Sequence, residues 1–345
     1  MSDAWTLELD GWNPADEGRR EALCTLGNGR FATRGAGPEA TADDVHYPGT
    51  YAAGCYNRLR DEVGGRWIEN ESIVNLPDWT DLRFAIGDDD WIDLAQVRVL
   101  EHRLTLDMRR GLLNRQVRFL DAAGRRTSVR QRRFVHMGHG HLAGLHTVFT
   151  AEDWRGRLRV ASGVDGSVVN SGVARYRDMA GRHLDVVETR EPDPGTVLLV
   201  ARTTQSGLVV AVAVRTRLAG AGTSGGRLRQ EATRIWHELD VAVRVGEPVA
   251  VEKVAAVVTS RDVGISEPAC SAVELLAAAP RIRRAGPEPR ARLATAVAAV
   301  PDRPDRCRIV RHAPHAAVER LPRAADGVAA QRRARRRHPG ARAAR

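Results

Sequence analysis

Residue types that bind sugars or move protons are concentrated in three short segments near the N-terminus. These are residues 25–31 (TLGNGRF), 46–51 (HYPGTY) and 75–79 (NLPDW). Their glycines permit positive φ angles and close approach of two backbones. The aromatic, arginine and amide side chains between them are the types that stack on sugars and hydrogen-bond to them. A second interpretation stays open on these residues alone, because Gly-Asn-Gly is also a turn signal and Tyr and Trp also fill protein cores.

Two acidic clusters are candidates for acid–base or cation chemistry. Glu69 and Glu71 flank Asn70, and alternate residues of a strand point to the same side, so both carboxylates can share a face. Residues 88–90 (DDD) precede Trp91 and predict a hairpin turn, with a Ca²⁺ site as the alternative. Solvated surface charge is the favoured interpretation of both clusters.

A histidine cluster at residues 136–141 (HMGHGH) raises the hypothesis of a zinc site. On a strand, His139 and His141 face the same side, yet no Cys, Asp or Glu follows before Glu152 to complete a ligand shell. A surface hairpin is therefore favoured over a metal site. The turn at residues 27–29 lacks the third glycine and the following helix of a nucleotide-binding loop, and no Gly-x-Ser-x-Gly elbow is present.

The elements that must position these residues are predicted to be strands. Apolar residues alternate with polar ones in many short runs, about ten residues apart and separated by turns that contain glycine. Such a pattern predicts an all-β fold, a large antiparallel β-sandwich over residues 1–262. In one run, Ile92, Leu94, Val97 and Val99 predict a strand with a one-residue slip. Residues 263–280 predict a short helical linker, with Ser266 as its N-cap.

Several motifs in one order resemble glycoside hydrolase family 65, which contains maltose, trehalose and kojibiose phosphorylases and some hydrolases. The three N-terminal segments carry the resemblance, and residues 106–113 (LDMRRGLL), 132–135 (RRFV) and 259–262 (TSRD) continue it. The similarity covers roughly residues 5 to 280. It implies an N-terminal super-sandwich of the galactose mutarotase-like type, followed by a helical linker.

The resemblance also implies a chemistry and its location. Family members invert at an α-glucosidic bond, with a carboxylic acid as proton donor and phosphate or activated water as nucleophile. In the family the donor and the phosphate-binding residues lie in an (α/α)6 barrel after the linker. We therefore expect a chain that ends before this barrel, holds no catalytic residue and is inactive alone, so that its status as an enzyme stays uncertain. No metal and no organic cofactor is expected.

Four residues are candidates for carbohydrate contact or for support of the barrel. In the family, this domain packs beside the barrel and often contributes to dimerisation. The implied partners are an α-glucoside disaccharide, bound weakly or not at all, and inorganic phosphate in intact relatives, with a homodimer as a further possibility. The candidates are His46, Tyr51, Asn75 and Trp79.

The charge of the chain is concentrated in its last part. Residues 281–345 hold 18 arginines against 5 acids, so this tail has a net charge of about +13. The net charge of the whole chain is +10, so the remaining residues have a net charge near −3. The tail has no aromatic residue, and its composition of Arg, Ala and Pro predicts disorder. An out-of-frame translation of GC-rich DNA is favoured over a nucleic-acid or membrane-surface arm, although residues 332–337 (RRARRR) form a basic cluster.

The sequence also bears on the compartment of the chain and on two rival functions. No secretory signal and no apolar run of about 18 residues is present, so we expect a cytoplasmic chain without a membrane span. The four cysteines lack CxxC spacing and favour free thiols, with a Cys24–Cys55 disulfide as the alternative. The rival functions are a stand-alone carbohydrate-binding module and a nucleic-acid binder that acts through the tail.

Overall fold

Antiparallel strands account for most of the residues that the computed structural model describes, which are 4–171, 181–219, 226–280 and 282. Period-2 alternation of apolar and polar residues produces these strands, because one side of each strand then faces a core. The strands are β1 (Thr6–Asp10), β2 (Leu26–Gly27), β3 (Phe31–Thr33), β4 (Thr50–Ala52), β5 (Tyr56–Val63), β6 (Arg66–Ile73), β7 (Leu82–Ile86), β8 (Arg98–Asp107), β9 (Leu112–Leu120), β10 (Arg126–Val135), β11 (Leu142–Ala151), β12 (Gly156–Asp165), β13 (Leu184–Asp193), β14 (Thr196–Thr203), β15 (Val209–Ala219), β16 (Arg227–Gln230), β17 (Arg234–Val243) and β18 (Pro248–Thr259).

Two sheets face each other and enclose the main core. The larger one has nine strands in the order β1-β8-β9-β10-β11-β18-β15-β14-β13, and the smaller has four in the order β16-β17-β12-β7. All registered neighbours in both sheets are antiparallel. Their inner faces supply one continuous cluster of buried side chains, among them Phe84, Phe119 and Phe149. The predicted all-β antiparallel sandwich is confirmed.

A helix covers the outer face of the larger sheet near its centre. This helix is α2 (Pro268–Ala278), which follows β18. Helix α1 (Glu17–Leu23) lies elsewhere, near the N-terminus and after a short 3-10 helix (Pro14–Asp16). Ala272 and Leu276 of α2 pack on the outer side chains of β14, β15 and β18. Arg215 of β15 donates hydrogen bonds to the carbonyl oxygens of Leu276 (2.6 Å) and Ala279 (2.9 Å), which satisfies the end of the helix.

Two smaller sheets stand beside the sandwich. Strands β2, β3 and β4 form a three-stranded sheet, and β5 and β6 form a two-stranded hairpin. The hairpin turns at Gly64 and Gly65, whose φ angles of 60° and 76° are those of a type I′ turn. The 25–31 and 46–51 segments lie in and around the three-stranded sheet.

Some local predictions were wrong. The helical linker exists as α2, but its N-cap is Glu267 and not Ser266. Pro268 begins the helix, and the residue before a proline is disfavoured in the helical conformation, so Glu267 stays outside the helix. Glu267 makes no side-chain cap hydrogen bond. Ile92 and Leu94 are buried in a loop that precedes β8, so their spacing reflects packing of that loop and not a strand. The slip predicted between Leu94 and Val97 is also wrong, because those residues precede the strand, and the register shift of the β8–β9 pair lies between Val99 and Glu101 instead. Except for Ile282, the tail at 281–345 lies outside the described residues.

Gly163 of β12 is a position where a side chain would collide with the neighbouring strand. A Cβ atom there would lie 2.1 Å from the backbone oxygen of Ile235 and 2.4 Å from Cβ of Trp236. We expect Gly163→Ala to lower the free energy of unfolding by about 1–3 kcal/mol, since the backbone of β17 must shift. Urea unfolding measures this. Gly138→Ala, whose nearest atom would be 3.4 Å away, is the control and should stay within about 0.5 kcal/mol.

Candidate functional site

The exposed side of the three-stranded sheet is built from the 25–31 and 46–51 segments. Gly27, Ala32 and Tyr51 stand opposite one another across β2, β3 and β4, and all three reach the surface. We call this surface, formed by Gly27, Ala32 and Tyr51, the motif face. The other side of the sheet joins the core through Leu26, Phe31, Thr33, Thr50 and Ala52.

An ion pair between a helix and the 46–51 segment lies at one end of the motif face. Glu21 of α1 is buried, and its Oε1 lies 2.8 Å from Nδ1 of His46. Its Oε2 accepts a hydrogen bond from the backbone amide of Tyr47 at 2.9 Å. The hydrogen bond to Glu21 raises the pKa of His46, against the lowering effect of burial. Both oxygens of the Glu21 carboxylate therefore contact the 46–51 segment and hold it against α1.

Arginine and tyrosine side chains stack beside this pair. The guanidinium of Arg34 lies 5.2 Å from the ring centre of Tyr47, and its Nε donates a hydrogen bond to the Tyr47 carbonyl (2.8 Å). Gly49 permits the close packing, since a Cβ there would lie 2.9 Å from the hydroxyl of Tyr51 and from Cδ of Arg34. Burial and the neighbouring Tyr47 raise the pKa of Tyr51, so its phenol stays neutral and offers a hydroxyl.

The Glu21–His46 pair should be visible in a histidine titration. We expect NMR to give His46 a pKa above 6.5, and Glu21→Gln to lower that pKa. Because the folded pKa is raised, the stabilisation is fully present below 6.5 and is lost as the pH rises through the folded pKa. Glu152→Gln, which removes a remote carboxylate, should leave the titration unchanged. A His46 pKa at or below 6.5 in the wild type would contradict the pairing.

A second charged cluster lies at the other end of the motif face and joins three segments. Arg30 forms an ion pair with Asp262, and the Nε2 of His141 lies 3.3 Å from Oδ2 of Asp262. Asp262 also accepts the backbone amide of Thr259 at 2.8 Å. Burial alone would raise the pKa of Asp262, but the hydrogen bonds from His141 and Thr259 together with the charge of Arg30 lower it. This carboxylate is therefore held as an anion.

The turn at residues 27–29 is tied to the histidine cluster. The side-chain amide of Asn28 donates to the carbonyl oxygens of His136 (2.8 Å) and Gly140 (3.0 Å). Its side-chain oxygen accepts the backbone amides of Arg30 and Phe31. Segments 25–31, 136–141 and 259–262, which are far apart in the sequence, therefore meet at one place.

The predicted site residues lie at three different depths. His46 and Tyr51 reach the surface at the motif face. Asn75 is buried below it, where its oxygen accepts the amide of Thr50 (3.0 Å) and its nitrogen donates to the carbonyls of Pro48 (3.1 Å) and Val169 (3.2 Å). Trp79 has no exposed surface and belongs to the main core. Of the four candidates, His46 and Tyr51 are therefore the two that are partly exposed, so that a ligand can touch them.

The other predicted clusters do not form a metal site in the described part of the chain. Nδ1 of His136 accepts the backbone amides of Gly138 (3.0 Å) and His139 (2.9 Å), as expected for a hairpin turn. Within the described ranges, no group of three His, Cys, Asp or Glu side chains is arranged to hold a metal ion. Glu69 and Glu71 share one exposed face, as predicted, and each forms an ion pair with an arginine of β5.

Among the residues that the structure describes, two carboxyl groups have raised pKa values, and both are buried. Burial is the main cause for Glu17, which lies 3.5 Å from Arg20, and for Asp78, which accepts two hydrogen bonds from Thr80. Their residues are 6% and 9% exposed. A general acid for glycoside cleavage needs a raised pKa together with access to the leaving oxygen, and these two groups have only the first.

The cysteines follow the predicted pattern in part. Cys24 and Cys55 are buried and free, so the alternative of a bond between them is wrong, and burial raises the pKa of both thiols to about 11. Cys270 is disulfide-bonded, so the free-thiol interpretation is wrong at that position. Cys307 lies outside the described residues.

Comparison with known proteins identifies the family. Residues 7–285 match the profile of the glycosyl hydrolase family 65 N-terminal domain. The chain belongs to glycosyl hydrolase family 65. Its family 65 relatives include an uncharacterized glycosyl hydrolase of Mycobacterium tuberculosis, 42% identical over 282 residues, which cover 81% of this chain and 21% of the relative. A trehalose 6-phosphate phosphorylase of Lactococcus lactis is 32% identical over 63% of this chain and 27% of its own length.

A solved structure shares the fold. A provisionally assigned kojibiose phosphorylase from the human microbiome superposes with a TM-score of 0.68 and 15% identity, covering 80% of this chain and 35% of that chain. The family 65 chain described here thus spans between about a fifth and about a third of the length of the relatives named above. Among the described residues, no helix has the length and apolarity that crossing a bilayer requires.

Proposed function

We propose that this chain acts as the non-catalytic β-sandwich of a family 65 α-glucoside phosphorylase or hydrolase. Its relatives named for trehalose 6-phosphate and kojibiose are phosphorylases, which supports an α-linked glucose disaccharide as the substrate class and inorganic phosphate as the acceptor, with water as the alternative. Under this proposal, residues 1–262 form the sandwich and residues 263–280 the linker. Bond cleavage is assigned to the part of the relatives that this chain does not match.

The disposition of the carboxyl groups carries this proposal. Inverting cleavage needs one carboxylic acid that donates a proton and a clear approach for the nucleophile from the opposite side of the sugar. Beside the motif face, Glu21 and Asp262 are held by partners, and Asp262 is held as an anion. Glu17 and Asp78, whose pKa values are raised, are enclosed in the protein. Within the described part of the domain, therefore, no single carboxyl group is both exposed and raised in pKa.

The motif face is the part of the surface that we assign to support and to weak sugar contact. Gly27 and Ala32 have small side chains and lie in one row with Tyr51, which offers a neutral hydroxyl, while Glu21 holds the partly exposed imidazole of His46. Flat small-residue surfaces beside hydrogen-bonding groups suit either a pyranose ring or the backbone of a packed domain. Asn75 and Trp79 contribute by holding the segments underneath.

Calorimetric titration of the purified chain with kojibiose, trehalose and maltose tests the contact. We expect binding with a Kd of about 1 mM or weaker, which corresponds to about −4 kcal/mol. Tyr51→Phe and His46→Ala should weaken it, and Trp67→Ala, remote from the motif face, should not. Micromolar affinity would favour a stand-alone carbohydrate-binding module instead, and the absence of any heat would leave support as the sole role of the face.

A further inference from the structure

An open cavity of about 510 Å³ lies on the smaller sheet, where β12 begins and β17 ends. Its volume is in the range of sites that hold small molecules. The other end of β12, Asp165, pairs with Asp78 of the 75–79 segment and is nine residues from Gly156. The cavity is therefore about 30 Å from that segment, and the proposed function does not use it. We call it the end cavity, and its lining includes Arg155, Gly156, Arg157, Asp240, Ala242 and Arg244.

The floor of the end cavity consists of small residues. Val241 and Val243 of β17 point into the main core, so Ala242 between them faces the outer side of the sheet, opposite Arg157 of β12. Ala242 and Gly156 are both exposed, and a Cβ atom on Gly156 would meet no atom within 4 Å. The short side chains leave a depression between longer neighbours, and its floor carries no charge.

Three guanidinium groups surround this floor. Arg155 and Arg244 adjoin the last registered pair of β12 and β17, and both are exposed, as is Arg157. Within the described part of the chain, the side chain of Arg155 has no hydrogen bond, ion pair or ring contact. Arg244 lies 3.7 Å from Glu247, and both side chains are more than half exposed. Such surface pairs are weak, so Arg155 and Arg244 are available to an anion.

One carboxylate stands among these guanidinium groups. Oδ1 of Asp240 lies 4.0 Å from Nε of Arg157, which also forms an ion pair with Asp88. Asp88 and Glu247 lie outside the lining, so the cavity is lined by three arginines and one aspartate, a net charge of +2. An ionised carboxylate only accepts hydrogen bonds. Asp240 therefore repels a second anionic group and suits a hydroxyl.

We propose that the end cavity binds a phosphorylated sugar, with the phosphate on Arg155 and Arg244 and a hydroxyl on Asp240. A phosphate monoester carries a charge of about −1.5 to −2 at pH 7, which matches the charge of the lining. Guanidinium groups bind phosphate oxygens through paired N–H donors. The sugar ring then lies against Ala242 and Gly156. The lining contains no aromatic side chain on which a base could stack, which favours a sugar phosphate over a nucleotide.

Calorimetric titration of the full chain with glucose 6-phosphate, at fixed ionic strength, tests the proposal. We expect a Kd of about 0.1–1 mM. Inorganic phosphate should bind at least about fivefold more weakly, because it lacks the hydroxyls and the ring. R155Q/R244Q should weaken the binding of glucose 6-phosphate at least about tenfold. R227Q/R229Q, the same change on the exposed strand β16, is the matched control and should bind like the wild type.

Two further variants test how the sugar is recognised. Ala242→Leu fills the floor and keeps every arginine, so it should weaken glucose 6-phosphate more than inorganic phosphate. Asp240→Asn removes the carboxylate, so inorganic phosphate should bind more tightly and the difference between the two ligands should narrow. Tyr51→Phe on the motif face should leave both affinities unchanged. Because separate variants probe the motif face and the end cavity, the failure of one proposal leaves the other in place.

Four results would overturn the proposal. They are a wild-type chain that does not bind glucose 6-phosphate, an R155Q/R244Q variant that binds it like the wild type, inorganic phosphate that binds as tightly as the sugar phosphate, and a loss of binding in Tyr51→Phe. The third would show only a general attraction for anions, and the fourth would place the ligand on the motif face. The substituted positions of the end cavity and of β16 are at least partly exposed, so circular dichroism should confirm that these variants remain folded.

Discussion

Replacing Arg115 by methionine should lower the free energy of unfolding by about 3–5 kcal/mol, because it leaves a buried carboxylate without its partner. The guanidinium of Arg115, on β9, grips Glu39 through two hydrogen bonds of 3.0 and 2.6 Å. The side chains are 9% and 6% exposed. Burial alone would raise the pKa of Glu39, but Arg115 lowers it, so the carboxylate is an anion in the fold and depends on the arginine.

Urea unfolding of three variants separates this pair from a general effect of losing charge. Arg118→Met on the same strand breaks a pair with Glu152 on the exposed side and should cost less than about 1 kcal/mol. Combining Arg115→Met with Glu39→Gln should recover a large part of the loss, since Glu39 then no longer leaves an unpaired charge in the protein. A cost for Arg115→Met as small as that for Arg118→Met would show that the pair is not holding the loop.

His102 should make the fold sensitive to acid by up to about 5 kcal/mol between pH 6.5 and pH 3. Burial and then the positive charge of Arg115 lower the pKa of this histidine to about 3. The Nδ1–H donates to the carbonyl of Gly11 (3.2 Å), and Nε2 accepts from Nε of Arg115 (3.3 Å). A proton on Nε2 would point at a guanidinium, so the folded state excludes it.

The direction in which stability changes with pH follows from the pKa of His102 in the unfolded chain and in the fold. In the unfolded chain His102 takes up a proton below about 6.5, whereas in the fold it does so only below about 3. The unfolded state therefore binds more protons across this window, and stability falls with falling pH by about 1.4 kcal/mol per unit. His102→Gln does not titrate. The difference in unfolding free energy between wild type and this variant should shift against the wild type as the pH falls, and parallel curves would contradict the assignment.

The same two residues show how far sequence alone could lead. The alternation of apolar and polar residues predicted antiparallel strands, and Val117 and Phe119 lie on one of them, β9. Arg115 has the same parity as these apolar residues, as His102 has with Leu104 and Leu106. Parity therefore indicated that both side chains point inward. What covers them could not be predicted, because nothing local in a strand tells which distant segment will lie over it. Arg115 lies under the loop that holds Glu39, and His102 lies against Gly11 and Trp12.

The sequence segments of the candidate site could be predicted, but which of their residues are exposed could not. Spacing identified the 25–31 and 46–51 segments, and Tyr51 and His46 of the second segment are both partly exposed. Trp79 and Asn75 come from a segment of similar composition and are enclosed, because burial depends on packing that composition does not encode. Glu21 and Asp262 anchor the two ends of the motif face through contacts with residues far along the chain, and only the Asp262 segment was marked in advance, by its TSRD motif.

Lys253 is a second case in which composition does not predict burial. It has the parity of Val251 and Val257 on β18, has no exposed surface and donates a hydrogen bond to the carbonyl of Gly163 on the opposite sheet at 2.8 Å. Burial lowers its pKa to about 8. A lysine in an apolar run thus marked a contact between the two sheets, where a reading by composition would have assigned it to the surface.

The absence of bond cleavage by this chain is tested most directly by an activity assay. The purified 345-residue chain, incubated with kojibiose, trehalose or maltose and inorganic phosphate, should release neither glucose nor glucose phosphate above the rate without protein. Release that disappears when one of its own carboxylates is replaced, in Glu17→Gln or Glu21→Gln, would show that the sandwich contains a working proton donor and would contradict the proposed role.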